Sequence, residues 1–319
     1  MLPGMSVRPG IAIIGAGNFA SALAISLWEA GYEIEAIISR DSSRDRSQGR
    51  TGSLKNARSL ARKVGARAWS DSPESLRAEI FWFCVPDAEI ASAAKSLAEM
   101  LAQKAVSKAA SHLGSRAKST AWFKRRVAVH SSGALSSDEL AALRELGMAA
   151  ASAHPLMTFV RGSRPSLAGV SFALEGDAAA LRVARRLVKD LGGKTYSIRK
   201  EDKAAYHAWA TFASPLLTAL LATAEEVSGL ARVRPAAARR RMIPILRQTL
   251  ANYAKFGAAR SFSGPIVRGD VDTVNRHLRV LRDEPAAREV YLALARAALR
   301  YLPAKNGTAL RKVLSPPFE

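Results

Sequence analysis

Cysteine is nearly absent from this chain of 319 residues, in which Cys84 is the single thiol. One thiol excludes an internal disulfide and a metal site built from several thiolates, and it is typical of a reducing compartment. The sequence also lacks a run of eighteen apolar residues, so no membrane span is expected. Its first ten residues lack the apolar stretch of a secretory signal. We therefore expect a soluble, cytoplasmic protein without a membrane partner.

Acidic residues are few compared with basic ones: 27 Asp and Glu stand against 48 Lys and Arg, which gives a formal charge of +21. The basic residues are densest in residues 40–67 and 101–126. Such a surface attracts polyanions at low salt. Arginine and alanine are abundant throughout, a composition that a GC-rich genome alone can produce. We therefore interpret the positive charge mainly as support for an anionic ligand and not for nucleic acid. We expect no specific nucleic-acid partner and keep a polyanion or nucleic-acid binder as the weakest alternative.

The clearest motif is a glycine-rich turn between a short apolar run and an amphipathic helix. Residues 11–14 read IAII, the turn reads GAGNFA, and a second apolar run follows at residues 34–38. In a strand–helix–strand unit of this kind, Gly15 allows the tight turn and Gly17 lets bare backbone approach a diphosphate. The phosphates bind to unpaired amides at the helix N-terminus, where the helix dipole favours an anion. We predict a dinucleotide site formed by Gly15, Ala16, Gly17, Asn18 and Phe19.

The residues after the second strand indicate which dinucleotide binds. An NAD site usually has Asp or Glu there for the ribose 2′-hydroxyl. This sequence has Ser39 and Arg40, with Arg44 following, and guanidinium groups suit a 2′-phosphate. We therefore predict NADP as the cofactor, bound through these three residues. Asp41 keeps NAD open as the less favoured alternative, and Arg44 has the competing interpretation of a solvated loop residue.

Further apolar runs complete the prediction of an α/β domain. They cover residues 80–85, 127–129, 148–152, 170–174 and 194–198. Ligands of such sheets bind beyond the carboxyl ends of the strands. We therefore expect the cofactor to contact Val85, Pro86 and Asp87, and the substrate to lie near Ser131, Ser132, Gly133 and His154.

The last third of the sequence has the pattern of long helices. They begin at Lys203, with a kink at Pro215, a helix after Asp270 and a loosely attached tail after Pro303. The predicted fold class is α/β, a Rossmann-type, mostly parallel sheet followed by an all-α C-terminal domain. The predicted domains are a dinucleotide-binding domain at 1–199 and a helical substrate and dimerisation domain at 200–319. The apolar surface of these helices predicts a homodimer, with packing on the first domain as the alternative.

Six motifs together resemble a known group of proteins: GAGNFA, CVPD, HSSGAL, SAHPLMTF, KAAYHAWATFAS and SGPIVRGDVDTVNRHL. In these motifs the chain is similar to bacterial proteins that join a Rossmann-like NADP domain to a helical C-terminal domain of unknown function. Those proteins in turn resemble pyrroline-5-carboxylate reductases and β-hydroxyacid dehydrogenases. The resemblance covers about residues 10–282 and implies an oxidoreductase with no agreed substrate.

The resemblance also implies catalytic residues at the start of the first C-terminal helix. Related dehydrogenases have there a lysine that exchanges a proton with the substrate and an asparagine one turn later; Lys203 and His207 take these places. Four residues apart on a helix, the two side chains share a face, and either can move the proton that accompanies hydride transfer. Pro215 stands where the family often has asparagine, which removes a polar group. The alternatives are a solvated cation for Lys203 and a hydrogen-bonded core residue for His207.

We predict from these features an NADP-dependent oxidoreductase, a dehydrogenase or reductase of a small, anionic oxo or imino substrate. Lys203 and His207 handle protons, Ser131 and Ser132 orient the substrate, and Arg268 contacts it. The alternative for the turn that contains Ser131 and Ser132, here called the serine turn, is an ordinary connection between a strand and a helix. The alternative for the segment that contains Arg268 is an ordinary turn between helices. A non-catalytic NADP-binding sensor or scaffold on the same fold is the alternative function. No HxxxH or HExxH spacing occurs, so no metal is expected.

Overall fold

The computed structural model describes residues 8–39, 53–69, 76–111 and 122–315, with only the backbone described for residues 53, 69 and 104–111. The chain divides into two compact units, Met1–Ala210 and Thr211–Glu319. The division falls inside one helix, which spans Lys203–Ala213.

The described residues of the first unit form a sheet of eight strands in the order β3-β2-β1-β4-β5-β6-β7-β8. The pairs from β3 to β6 are parallel, β7 runs antiparallel to β6, and β8 is parallel to β7. The strands are β1 (Ile11–Ile14), β2 (Ile34–Ile38), β3 (Arg67–Trp69), β4 (Ile80–Phe83), β5 (Val127–His130), β6 (Ala149–Pro155), β7 (Ser171–Gly176) and β8 (Lys194–Ser197). The first six strands have the order of a dinucleotide-binding fold, which confirms the predicted Rossmann-type, mostly parallel sheet.

Helices cover both faces of this sheet, which explains why β1 and β4 are apolar at every position. In β1, Ile11 and Ile13 face one apolar layer, and Ala12 and Ile14 face the other. The first layer includes residues of α1 (Asn18–Glu29), α2 (Ser53–Lys63) and α5 (Ala178–Asp190), and the second includes residues of α3 (Ile90–Ser111) and α4 (Ala141–Glu145). Parallel strands buried on both faces lose the alternation of polar and apolar residues.

The helices from Lys203 onward confirm the predicted helical C-terminal region. They are α6 (Lys203–Ala213), α7 (Pro215–Val227), α8 (Pro235–Ser261), α9 (Pro265–Arg268), α10 (Val271–Val280), α11 (Pro285–Tyr301) and α12 (Gly307–Leu314). Pro215 starts a new helix instead of kinking one, because its ring cannot continue the preceding turn. Among the described residues, no helix is both long enough and apolar enough to cross a bilayer.

The prediction of a loosely attached tail after Pro303 is wrong. Residues 307–314 form α12, in which Leu310 is fully buried and Leu314 is 1% exposed. Both leucines pack in a cluster with Val274 of α10 and Leu292 of α11. The short segment therefore completes the core of the second unit, where apolar burial stabilises a helix that would not form alone.

Candidate cofactor site and active site

The turn after β1 has the backbone that a dinucleotide site requires. Gly15 has a φ of 112°, and a Cβ at this position would collide with the carbonyl oxygen of Cys84. Its amide donates a hydrogen bond to the carbonyl of Ile38 at 2.7 Å. Gly15 thus joins the ends of β1, β2 and β4, and no larger residue fits there.

Gly17 is exposed and serves as the N-cap of α1 without a side-chain hydrogen bond to the helix. A Cβ at Gly17 would meet no heavy atom within 4 Å among the described residues. The space beside the first turn of α1 at Gly17 is therefore open, within the described residues, to an anion that the helix start can bind. This bare helix start fits a diphosphate.

The two side chains after Gly17 contact the loop between β6 and β7. Asn18 donates a hydrogen bond to the carbonyl of Phe159 at 3.2 Å, and the Phe19 and Phe159 rings are 4.9 Å apart. Ala16 packs, partly buried, against the same core layer as Phe159. Asn18 and Phe19 thus hold the loop around residue 159 beside the glycine turn.

Ser39, directly after β2, is 4% exposed, and within the described ranges its hydroxyl has no hydrogen-bond partner. A buried hydroxyl without a partner is costly, and a ligand can satisfy it. The other two residues predicted to bind the 2′-phosphate, Arg40 and Arg44, lie outside the described residues.

The turn after β5 uses both of its serine hydroxyls within the protein. Ser131 accepts a hydrogen bond from the Trp82 indole at 2.7 Å. Ser132 donates to Asp87 at 2.9 Å and accepts from the amides of Ala134 and Leu135. These bonds fix the turn against the segment after β4. Each hydroxyl therefore helps to fix the backbone of the turn after β5.

The segment after β4 lies beside the glycine turn. A Cγ atom of Val85 would be 3.3 Å from a Cβ at Gly15, and Pro86 precedes the short 3₁₀ turn Asp87–Glu89. Pro86 and Asp87 are exposed, and Asp87 reaches the serine turn through Ser132. Val85, Pro86 and Asp87, which are predicted to contact the cofactor, thus lie between the glycine turn and the serine turn.

Lys203 is a buried cation at the start of α6, with 1% of its surface exposed. Its ammonium donates hydrogen bonds to the carbonyl oxygen of Ser132, at 2.9 Å, and to the hydroxyl of Ser152 in β6. Burial lowers the pKa of Lys203 to about 8, against the opposing effect of Glu175 and Asp87. Lys203 therefore ties α6 to the turn after β5 and to the middle of β6.

His154, the sixth residue of β6, forms the exposed side of this region together with His207 of α6. The imidazole Nδ1 of His154 and the phenol oxygen of Tyr206 share a hydrogen bond of 2.6 Å. The His154 and His207 rings are 6.1 Å apart and nearly perpendicular. Burial, followed by the charges of Lys203 and His207, lowers the pKa of His154 to about 4, so its ring is neutral at pH 7.

Gly133 leaves the space that these two imidazoles occupy. A Cβ at Gly133 would lie 2.7 Å from His207 Cδ2 and 2.9 Å from His154 Nε2. The predicted substrate residues Gly133 and His154 and the predicted catalytic residues Lys203 and His207 therefore meet in one place. We call this group, with Tyr206, the histidine corner.

His130, the last residue of β5, is held by the turn that follows it. Fully buried His130 accepts a hydrogen bond from the Ser132 amide at Nδ1, so Nε2 carries the proton and donates to the Ser136 carbonyl. Arg268 is the last residue of α9 in the second unit and is exposed. Its predicted role in substrate binding stays a prediction.

Sequence reasoning missed Tyr206 and Ser152. Tyr206 stands between Lys203 and His207 in α6, and its 7% exposure marks a buried polar side chain. Ser152 is fully buried in β6 and donates a hydrogen bond to the Ser132 carbonyl at 3.1 Å. A serine inside an apolar strand was the available signal, because a buried hydroxyl needs a partner. Over the described part of the chain, no group of three His, Cys, Asp or Glu residues is placed to hold a metal ion.

The fold and the glycine turn define a dinucleotide-binding protein with a helical second unit. Residues 10–110 match the family described as NADP oxidoreductase, coenzyme F420-dependent, and residues 170–298 match a domain of unknown function, DUF2520. The chain thus joins an NADP-oxidoreductase Rossmann domain to a DUF2520 domain, as the sequence predicts. The NADP prediction is confirmed at the level of the domain family, whose description names NADP.

Solved structures show the same fold at low sequence identity. BF3122 from Bacteroides fragilis is 21% identical over 92% of this chain and 98% of its own, with a TM-score of 0.68. An imine reductase from a Pseudomonas species is 18% identical over 92% and 94%, with a TM-score of 0.57. A pyrroline carboxylate reductase from Plasmodium falciparum, solved with NADP bound, is 11% identical over 96% and 99%, with a TM-score of 0.53. A comparison with curated proteins gives no significant match.

Gly17→Ala tests the cofactor turn without disturbing the fold. The added methyl group meets no heavy atom of the described residues within 4 Å but enters the space that a diphosphate needs, so the affinity for NADPH should fall by about tenfold or more. The unfolding free energy of the cofactor-free protein should change by about 1 kcal/mol or less, as for a change of N-cap residue. Calorimetric titration and chemical denaturation measure the two quantities.

Gly229→Ala is the matched control, because a Cβ there also meets nothing within 4 Å in the described chain. It should leave the NADPH affinity unchanged. Wild-type affinity in Gly17→Ala would show that no diphosphate lies against this turn.

Proposed function

We propose that the protein is an NADP-dependent oxidoreductase that reduces an oxo or imino group of a small, anionic substrate. The observation that carries the proposal is the buried ammonium of Lys203. It donates hydrogen bonds to the carbonyl oxygen of Ser132, which follows β5, and to the hydroxyl of Ser152, which lies in β6. Ligands of this fold bind at the same edge of the sheet, where the glycine turn also lies. A cation, two imidazoles and a cofactor turn at one edge form a set of groups that can stabilise and protonate a reduced product.

Bound NADPH supplies the hydride, and the protein manages the charge that hydride addition creates. Addition to a carbonyl builds negative charge on oxygen, which a nearby ammonium stabilises. With a pKa of about 8, Lys203 is mostly protonated at pH 7. Because only 1% of Lys203 is exposed, we assign it the positioning of the serine turn together with this electrostatic effect.

The group that contacts the substrate is, in this proposal, His154. Burial raises the pKa of the Tyr206 phenol, so the phenol stays protonated and can donate to His154 Nδ1. The neutral imidazole then carries its own proton on Nε2, which points towards Gly133. Nε2–H can donate to a substrate carbonyl or carboxylate oxygen, and the His207 ring lies 6.1 Å from the His154 ring.

A substrate panel tests the reaction class directly. Purified protein with NADPH is offered 2-oxo acids and cyclic imines that carry a carboxylate, and loss of NADPH absorbance is followed. Turnover with a member of either class supports the proposal. Cofactor binding without turnover across the whole panel would favour the non-catalytic sensor.

The rate of reduction should fall above about pH 8. Deprotonation of Lys203 removes the positive charge beside the developing negative charge, and its pKa is lowered to about 8 by burial. Lys203→Met keeps the length of the side chain without the charge and should lower kcat by about tenfold or more while NADPH affinity is retained. The pH dependence of kcat measures the effect, and an unchanged alkaline limb in Lys203→Met would contradict the assignment.

A stability measurement gives an independent control that needs no substrate. Folding lowers the pKa of Lys203 from 10.5 to about 8, so between these values the unfolded chain binds more protons than the folded one. The Lys203 contribution therefore opposes folding below pH 8 and fades as the pH rises towards 10.5. Lys203→Met should remove this increase in unfolding free energy.

Tyr206→Phe should lower kcat/KM by about tenfold or more, because His154 loses the donor that keeps its proton on Nε2. The matched control is Tyr291→Phe in the second unit, which deletes the same kind of bond, from a tyrosine phenol to Nδ1 of His277 at 3.1 Å. Steady-state kinetics of both variants decide the point. Equal kinetics in the two variants would exclude His154 as the substrate contact.

The proposal includes a homodimer formed through the second unit. Within the described chain α7 buries no residue and α8, with 27 residues, buries only Ala238. Ile245, Leu250 and Tyr253 of α8 are 67%, 58% and 59% exposed. Helices gain most of their stability from packing an apolar face, and a second copy of the chain supplies one.

Light scattering coupled to size exclusion should give twice the chain mass of 34.2 kDa. Ile245→Glu should shift the protein towards the monomer, because a carboxylate cannot be buried unpaired in an apolar interface. Val280→Glu in α10, at a position 58% exposed, adds the same charge outside α7 and α8 and should leave the mass unchanged. A wild-type monomer at micromolar concentration would contradict the dimer.

A further inference from the structure

The second unit contains an open cleft of about 690 Å³ that belongs to neither the cofactor turn nor the histidine corner. Its walls come from α10, the 3₁₀ turn Leu281–Asp283 that follows it, the first turn of α11 and the end of α12. This volume lies within the range of sites for small organic ligands.

Four arginines line the cleft. Arg276, Arg279 and Arg282 follow each other at intervals of three residues along α10 and its 3₁₀ extension, and Arg288 joins them from α11. In the part of the chain that the structure describes, no hydrogen bond or ion pair engages any of the four guanidinium groups. Like charges at this spacing on a helix repel each other.

The arrangement differs from that of arginines that stabilise the fold. In the same unit, Arg239 forms two hydrogen bonds with the carboxylate of Glu225, at 2.8 and 2.7 Å. The cleft also contains Asp272 and Glu289, yet neither forms an ion pair with the four arginines in the described chain. Guanidinium groups that line one cleft and form no ion pair with its carboxylates are complementary to an anion with several oxygens, such as phosphate.

Part of the cleft wall is apolar. Leu278, Pro285 and Val313 contribute apolar surface beside the arginines. Sites for small molecules commonly combine such apolar walls with a few groups that fix orientation. An inorganic anion would leave this surface unused, whereas the carbon skeleton of an organic phosphate would cover it.

We propose that this cleft binds a small organic phosphate. The arginines hold the phosphate group, and the organic part packs against Leu278, Pro285 and Val313. The site is independent of the oxidoreductase proposal, because it shares no residue with the cofactor turn or the histidine corner.

The test uses the full chain at about 0.15 M salt, where attraction between distant exposed charges is screened. NADP is present at saturation so that the cofactor turn is not available, and AMP and inorganic phosphate are titrated by calorimetry. AMP should bind more tightly than inorganic phosphate. In the double variant Arg276→Gln/Arg279→Gln the affinity for AMP should fall by about tenfold or more.

Arg240→Gln/Arg241→Gln is the matched control, since these two exposed arginines of α8 lie outside the cleft and their loss changes the net charge equally. It should change the affinity by about twofold at most. Equal losses in both double variants would reduce the effect to general attraction of anions by a basic protein and overturn the proposal. Equal binding of AMP and inorganic phosphate, no binding of AMP at millimolar concentration, or preferred binding of a single-stranded oligonucleotide would also overturn it.

Discussion

A buried positive charge holds the candidate active site together. Lys203 joins the start of α6 to the carbonyl of Ser132 after β5 and to the hydroxyl of Ser152 in β6. An ammonium in such a place opposes folding unless its hydrogen bonds are satisfied, and its lowered pKa records that cost. The same contacts bring Tyr206 and His207, on the next turn of α6, against His154. Loss of this contact would therefore remove the link between α6 and the serine turn, although Trp82 and Asp87 would still hold that turn.

The glycine turn and the central strands could be predicted because their signals are local. Gly15 and Gly17 stand between a β-branched run and an amphipathic helix. The run is buried as a central strand, and the apolar face of the helix is buried against the sheet, as the two patterns predict. The antiparallel direction of β7 had no such signal, since strand direction depends on which neighbour a strand pairs with. The burial of α12 likewise depends on partners in α10 and α11 that lie far away in the sequence. The predicted domain boundary at 199/200 stays a prediction.

The site was predictable as a set of positions but not as a set of contacts. The sequence places Ser131, Ser132, Gly133 and His154 after strand ends, and a fold that collects strand ends at one edge brings them together. It does not show that both serine hydroxyls are engaged by Trp82 and Asp87. Nor does it pair His154 with Tyr206, because a hydrogen bond between a strand and a helix 52 residues apart has no local pattern.

The bare backbone at Gly133 has a consequence for attempts to alter what the protein accepts. Two imidazole edges already occupy the volume of a side chain at this position, so nothing larger than hydrogen is tolerated while both rings keep their places. Changing the chemistry of the histidine corner by protein engineering must then begin from the helix, at His207, and from the strand, at His154. The turn that contains Gly133 must stay unchanged, whereas the side chains at positions 154 and 207 can be varied.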